Sequence, residues 1–146
     1  MKIEDVMTPE PRCVTPDTPV RDVARLMQSE GVGLIPVVES DAGQRLVGVV
    51  TDRDIAIRVV AEGRGPDTRV VDIMSGRLST CSPAEDVDDA LKTMAAEQVR
   101  RIPIVDERGS LVGIVAQADV VRKVNDEHKT QRTVESISQP GGSHTR

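Results

Sequence analysis

The chain repeats itself, and no other feature limits its fold as much. Moved along itself by about 67 residues, DVMT at 5–8 falls on DIMS at 72–75. VTPDTPVRDVARLM at 14–27 falls on CSPAEDVDDALKTM at 81–94, and VGLIPVV at 32–38 falls on VRRIPIV at 99–105. After a turn that differs by two residues, LVGVVTDRD at 46–54 falls on LVGIVAQAD at 111–119. Two copies at so long a period do not make a solenoid. They make a doubled supersecondary unit whose halves share one core.

Each half reads in the same order. A short strand is expected at 12–14, with its copy at 78–81. A helix follows, with apolar Val20, Val23, Ala24 and Met27 in the first half and Val87, Ala90, Leu91 and Met94 in the second. Both sets keep the i, i+3, i+4, i+7 spacing of a helix buried on one side. Thr18-Pro19 reads as N-cap then first helical residue, and Ser82-Pro83-Ala84-Glu85 as a capping box. Two apolar strands come next, Leu34–Val38 and 45–50, with copies at Arg101–Val105 and 110–115. A second helix closes each half, at 52–61 and 117–125. The unit is therefore β-α-β-β-α, twice. The first repeat is assigned to 1–62, a linker with Gly63, Gly65 and Pro66 to 63–69, and the second repeat to 70–126. Residues 127–146 are read as a polar, mobile tail.

Composition narrows the chemistry. The chain holds no Phe, Tyr or Trp and carries a formal charge of −5. A bound base has no ring to stack on, and an acidic chain without a basic stripe does not suit nucleic acid. No run of 18 apolar residues suggests a membrane span. The beginning, MKIEDVMTPE, is unlike a signal peptide, so a cytoplasmic location is expected. Cys13 and Cys81 fit no metal spacing and are expected as reduced thiols in strands. The only histidines, His128 and His144, lie in the polar end. No Walker loop, metal motif or nucleophile–base pair is present, so the chain is not read as an enzyme and no cofactor is assigned.

The D-[VI]-M-[TS] start, the IPVV and IPIV strands and the strand-to-helix joint GVVTDRDI, doubled and in order, resemble the CBS domain pair, named after cystathionine β-synthase. The resemblance covers 1–126. It implies an α/β (α+β) fold of two repeats packed sheet to sheet about a pseudo-twofold axis. It also implies two clefts between the repeats that take AMP, ADP, ATP, S-adenosylmethionine or NAD. Such modules regulate a protein effector and often pair into a flat disk, so a homodimer and an effector in trans are expected.

The joint Thr51-Asp52-Arg53-Asp54 is the informative segment. A strand running into a helix N-terminus leaves backbone N–H groups free and suits phosphate. Thr51 can donate a hydroxyl, Arg53 can pair with the charge, and Asp54 can accept from ribose hydroxyls. Thr-x-x-Asp is equally close to a capping box, and both roles are open together. By the resemblance, Thr51, Arg53 and Asp54 face Ser75, Leu78, Val99, Arg100, Arg101, Ile102 and Pro103 of the second repeat. Arg100 and Arg101 occupy basic positions that reach phosphates, or else a solvated strand edge. The second cleft joins Ala116 and Asp119 to Thr8, Val32, Gly33, Leu34 and Pro36. There Ala116 replaces the threonine and no arginine follows, so the sites are expected to be unequal, with the Asp54 cleft tighter.

Three functions are weighed: an adenine-nucleotide sensor, an interaction scaffold with empty clefts, and a sensor of S-adenosylmethionine.

Overall fold

A computed structural model describes residues 1–138. Its elements are β1 (Thr8–Pro9), α1 (Val20–Glu30), β2 (Leu34–Val38), β3 (Leu46–Thr51), α2 (Asp52–Ile55), α3 (Val87–Glu97), β4 (Arg101–Val105), β5 (Leu111–Ala116) and α4 (Gln117–Ser138). A π-helical turn, Ala56–Val60, continues α2. The architecture is mixed α+β, with two small antiparallel sheets: β2–β3, and β1–β5–β4.

Each hairpin packs one face against a helix of its own repeat. Ile35, Val37 and Val50 form one core with Val20, Val23 and Met27 of α1. Ile102, Ile104 and Val115 form the other with Val87, Ala90 and Met94 of α3, so each repeat has its own core where a single shared one was expected from sequence. Without aromatic rings, these branched side chains carry the packing, each fully buried one contributing about 1.5–3 kcal/mol. A third, smaller cluster joins Val38 and Leu46 to Leu111 between the repeats. Reciprocal bonds run there: Leu46 N donates to Gly109 O at 3.0 Å and Leu111 N to Gln44 O at 2.8 Å. These pairs are repeat equivalents, so they sit about the pseudo-twofold axis.

The repeats also exchange their first segments. Ile3, although in the first repeat, is fully buried in the core of the second. Val70 and Ile73, at the start of the second repeat, are fully buried in the core of the first. The docking is the same twice. Ile3 N donates to Glu85 O and Glu4 N to Pro83 O; Val70 N donates to Thr18 O and Val71 N to Pro16 O. Thr8 then pairs with Ile114, and Ser75 with Val49. Each DVMT-like segment thus finishes the sheet of the other half.

Several local expectations need correction. Thr18 does not cap α1: the N-cap is Pro19, and Thr18 Oγ1 accepts from Thr15 N at 3.2 Å in the turn ahead of it. The Ser82–Glu85 bond exists, but it closes a turn. Asp86 caps α3, its carboxylate accepting from Asp88 N at 2.9 Å, which holds that carboxyl below its usual range. The strands expected at 12–14 and 78–81 reduce to single parallel bridges, Val14 with Val37 and Cys81 with Ile104. The last helix does not stop at 125 but runs to Ser138. Of the expected tail, residues 139–146 lie outside the described residues.

Candidate functional site

The crossing segments bring Ser75 of the second repeat to β3, ahead of the first joint, and Thr8 of the first repeat to β5, ahead of the second. At the first joint the capping reading holds. Thr51 Oγ1 accepts from Asp54 N at 3.1 Å, and Asp54 Oδ2 accepts from Thr51 N at 2.9 Å. Asp54 is mostly buried, and its other oxygen, Oδ1, lies 3.9 Å from Arg58 Nε. Arg53 is exposed and has no ion-pair partner among the described residues. Ser75, hydrogen-bonded to Val49 on β3, is two residues along the strand from Thr51.

The second joint lines a cavity of about 160 Å³. Val32, Leu34 and Pro36 enter it from β2 and the residues before it, and Thr8 from β1. Ala116 and Asp119 enter it from the end of β5 and the first turn of α4. Six of the seven residues assigned to this cleft therefore meet in one space. The seventh, Gly33, lies outside that lining and close to the Asp52 side chain. A Cβ there would meet Asp52 Oδ2 at 2.9 Å, because Asp52 N bonds Gly33 O. Its counterpart Arg100 accepts Gln117 N in the same way, at 2.8 Å, where no carboxylate stands in the path.

Arg101 holds the same register position opposite Ala116 that Leu34 holds opposite Thr51. It lines the Asp119 cavity, with Leu34 across from it. Arg100 turns to a wider groove of about 770 Å³ along the start of α4, which it shares with Arg101, Gln117 and Arg122. Arg101 therefore reaches both spaces, and Arg100 only the wider one. Ile102 sends its side chain into the core of the second repeat, 1% exposed, so only its backbone can serve a cleft. Pro103 is buried on the opposite face of β4, Val99 packs on that core, and Leu78 joins the cluster between the repeats.

Five cavity residues were not singled out from sequence: Pro11, Arg12, Glu30, Ile35 and Ile114. Ile114 follows from the period-two face of β5. Arg12 and Glu30 form an ion pair of 3.0 Å at the same cavity. Nothing local signals them, for they come from a loop and the far end of α1. The Asp119 carboxylate is paired with Arg122 Nη2 at 2.7 Å. The cavity thus offers two guanidinium groups, Arg12 and Arg101, and two carboxylates, Glu30 and Asp119, beside apolar walls; Arg12 is already paired with Glu30. The cavity can take a molecule with an anionic end, hydroxyls and a flat apolar part. Among the described residues no group of three or more His, Cys, Asp or Glu could hold a metal ion, and no helix is long and apolar enough to cross a membrane.

Comparison with known proteins adds the following. Residues 3–61 and 70–126 each match the CBS domain. CBS domain-containing protein YhcV of Bacillus subtilis is 43% identical over 118 residues, 81% of each chain. Hypoxic response protein 1 of Mycobacterium tuberculosis is 31% identical over 93% of each chain. A crystal structure of Hypoxic Response Protein I with two coordinated zinc ions superposes with a TM-score of 0.76, covering 84% of this chain and 98% of that one. The structure of CBSX2 in complex with AMP gives a TM-score of 0.76 at 27% identity, covering 87% and 98%.

Proposed function

The chain belongs to the CBS-domain family, and from that premise we propose that it is a regulatory module that binds an adenine nucleotide between its repeats and controls a partner protein in trans. The observation that carries this reading is the cavity lined by Thr8, Val32, Leu34 and Pro36 on one side and Arg101, Ala116 and Asp119 on the other. It lies between repeats, and it combines an apolar wall with cations and an acid. The AMP complex of the related CBSX2 supports the same ligand class for this chain. AMP, ADP and ATP are the proposed ligands, with NAD as an extended form of the same adenosine phosphate.

Both clefts enter the proposal. At the Asp54 cleft, Thr51 and Arg53 supply the phosphate side and Asp54 the ribose side. At the Asp119 cleft, Arg12 and Arg101 supply the charge that Ala116 and Ala118 lack. The sites remain unequal in this account, because their donor sets differ. Regulation requires a second state that the ligand distinguishes. A homodimer is the proposed assembly in which that state is read.

A scaffold with empty clefts is the second reading, and one observation favours it. Both acids are satisfied inside the chain, Asp54 by Thr51 and Asp119 by Arg122. Thermal unfolding in the presence of AMP, ATP, NAD or S-adenosylmethionine separates the readings. A ligand at about 100 times its Kd stabilises by roughly 2.7 kcal/mol. A rise with AMP or ATP supports the nucleotide sensor. A rise with S-adenosylmethionine alone moves the ligand class, and no rise with any of the four supports the scaffold.

A further inference from the structure

Asp54 and Asp119 are repeat equivalents, yet they are held differently. Arg122, one turn along α4, takes Asp119 at 2.7 Å, an arrangement confined to one helix. Arg58 stands one turn beyond Asp54 and reaches in two directions. Its Nε lies 3.9 Å from Asp54 Oδ1, and its Nη1 donates to Ile73 O at 3.0 Å. Ile73 belongs to the first segment of the second repeat and is fully buried in the core of the first. Two residues on, Ser75 exchanges backbone bonds with Val49 at 2.9 and 3.0 Å. The position equivalent to Arg58 is Lys123, and among the described residues it makes no bond to the first repeat's leading segment.

From this geometry we infer that Arg58 is a positioning residue that couples the Asp54 carboxylate to the crossing segment 73–75. The inference deepens the proposed function and rests on it for the identity of the ligand. Thr51 N already occupies Asp54 Oδ2. Oδ1 is therefore the oxygen a ligand hydroxyl takes, and Arg58 is the group that hydroxyl meets. A guanidinium can hold a carbonyl and a carboxylate together because its donors sit in a fixed planar fork, which an ammonium lacks. Any change at Asp54 Oδ1 is thereby passed to the Ile73 carbonyl and to the Val49–Ser75 pair. The Asp119 cleft has no such link, so the two clefts report to different parts of the molecule.

Amide hydrogen exchange at Ser75 tests this in the full chain, first without ligand. Arg58 is half exposed, so its replacement leaves the core intact. Arg58→Gln is expected to speed exchange of the Ser75 amide by about threefold to tenfold, the range for one ordinary hydrogen bond, which applies here because Arg58 is half exposed. Arg58→Lys is expected to fall between the two. Asp54→Asn keeps an oxygen for Thr51 N, and its effect is expected to vanish in the Arg58→Gln background. An unchanged Ser75 amide in Arg58→Gln, or effects of the two substitutions that simply add, overturns the inference. AMP is then added. It is expected to change Ser75 exchange in the wild-type chain and not in Arg58→Gln; an equal change in both also overturns it. If AMP does not bind the wild-type chain, the proposed ligand falls, while the ligand-free cycle still decides the role of Arg58.

Discussion

Met7 crosses directly over Gly113: a Cβ built on that glycine would lie 2.5 Å from the Met7 sulfur and 3.1 Å from Thr8 O. Gly48 stands in the same relation to Met74 at 2.7 Å and Ser75 O at 3.0 Å. The glycine of each LVG motif is thus where the other repeat's first segment passes over the sheet. A backbone carbonyl cannot swing aside as a side chain can. Gly113→Ala and Gly48→Ala are each expected to destabilise the chain by about 1–3 kcal/mol, the usual result of overpacking. Gly65→Ala, which meets nothing within 4 Å, is the control. Urea unfolding measures all three.

The exchange of segments makes damage non-local. Ile3→Ala removes a fully buried side chain and is expected to cost about 2–5 kcal/mol. Amide exchange is expected to show the loss in α3, β4 and β5, which form the core Ile3 occupies, before it shows in α1 and β2. Loss confined to the first repeat's own hairpin would argue against the exchange.

Helix ends give a gain rather than a loss. Gly31 ends α1 with φ 66, and its equivalent Gln98 ends α3 with φ 57. That left-handed conformation favours glycine. Gln98→Gly is expected to stabilise the chain by about 0.5–1 kcal/mol, the strain relieved less the added unfolded-state freedom. A fall in thermal midpoint would contradict the assignment.

The thiols are expected to be unreactive. Burial pushes both Cys81 and Cys13 up from the ordinary thiol range, with Glu85 adding to the effect at Cys81 and Asp41 at Cys13. A raised pKa means less thiolate at any given pH. Alkylation near neutral pH is expected to be slow in the folded chain, to rise as pH is raised, and to become fast on unfolding. Fast modification of the native chain near pH 7 would overturn this.

Much of this was legible in the sequence, because duplication shows every signal twice. The hairpins and the amphipathic faces of α1 and α3 follow from aligned copies, and most of the Asp119 cleft from the family resemblance. What escaped depends on distance or on fine geometry. Ile3 and Val115 share a core although over a hundred residues separate them, and no local pattern pairs them. The family resemblance placed Arg101 opposite Asp54, yet its side chain lines the cavity of Asp119. Thr18 looked like a cap because threonine before proline often is one. Here Pro19 itself takes the extended N-cap conformation, and the hydroxyl turns back to Thr15. Arg12 and Glu30 carry no motif, and only the closed fold brings them to the cleft.

Calorimetric titration of the nucleotide-stripped chain with AMP tests the central claim most directly, since no Trp or Tyr is present to report binding by fluorescence. The account predicts saturable binding with two unequal affinities, one weakened at least about tenfold by Asp54→Asn and the other by Asp119→Asn, as expected when a charged hydrogen-bond partner is removed. A folded, stripped chain that gives no heat with AMP would contradict it, and so would binding that neither substitution disturbs.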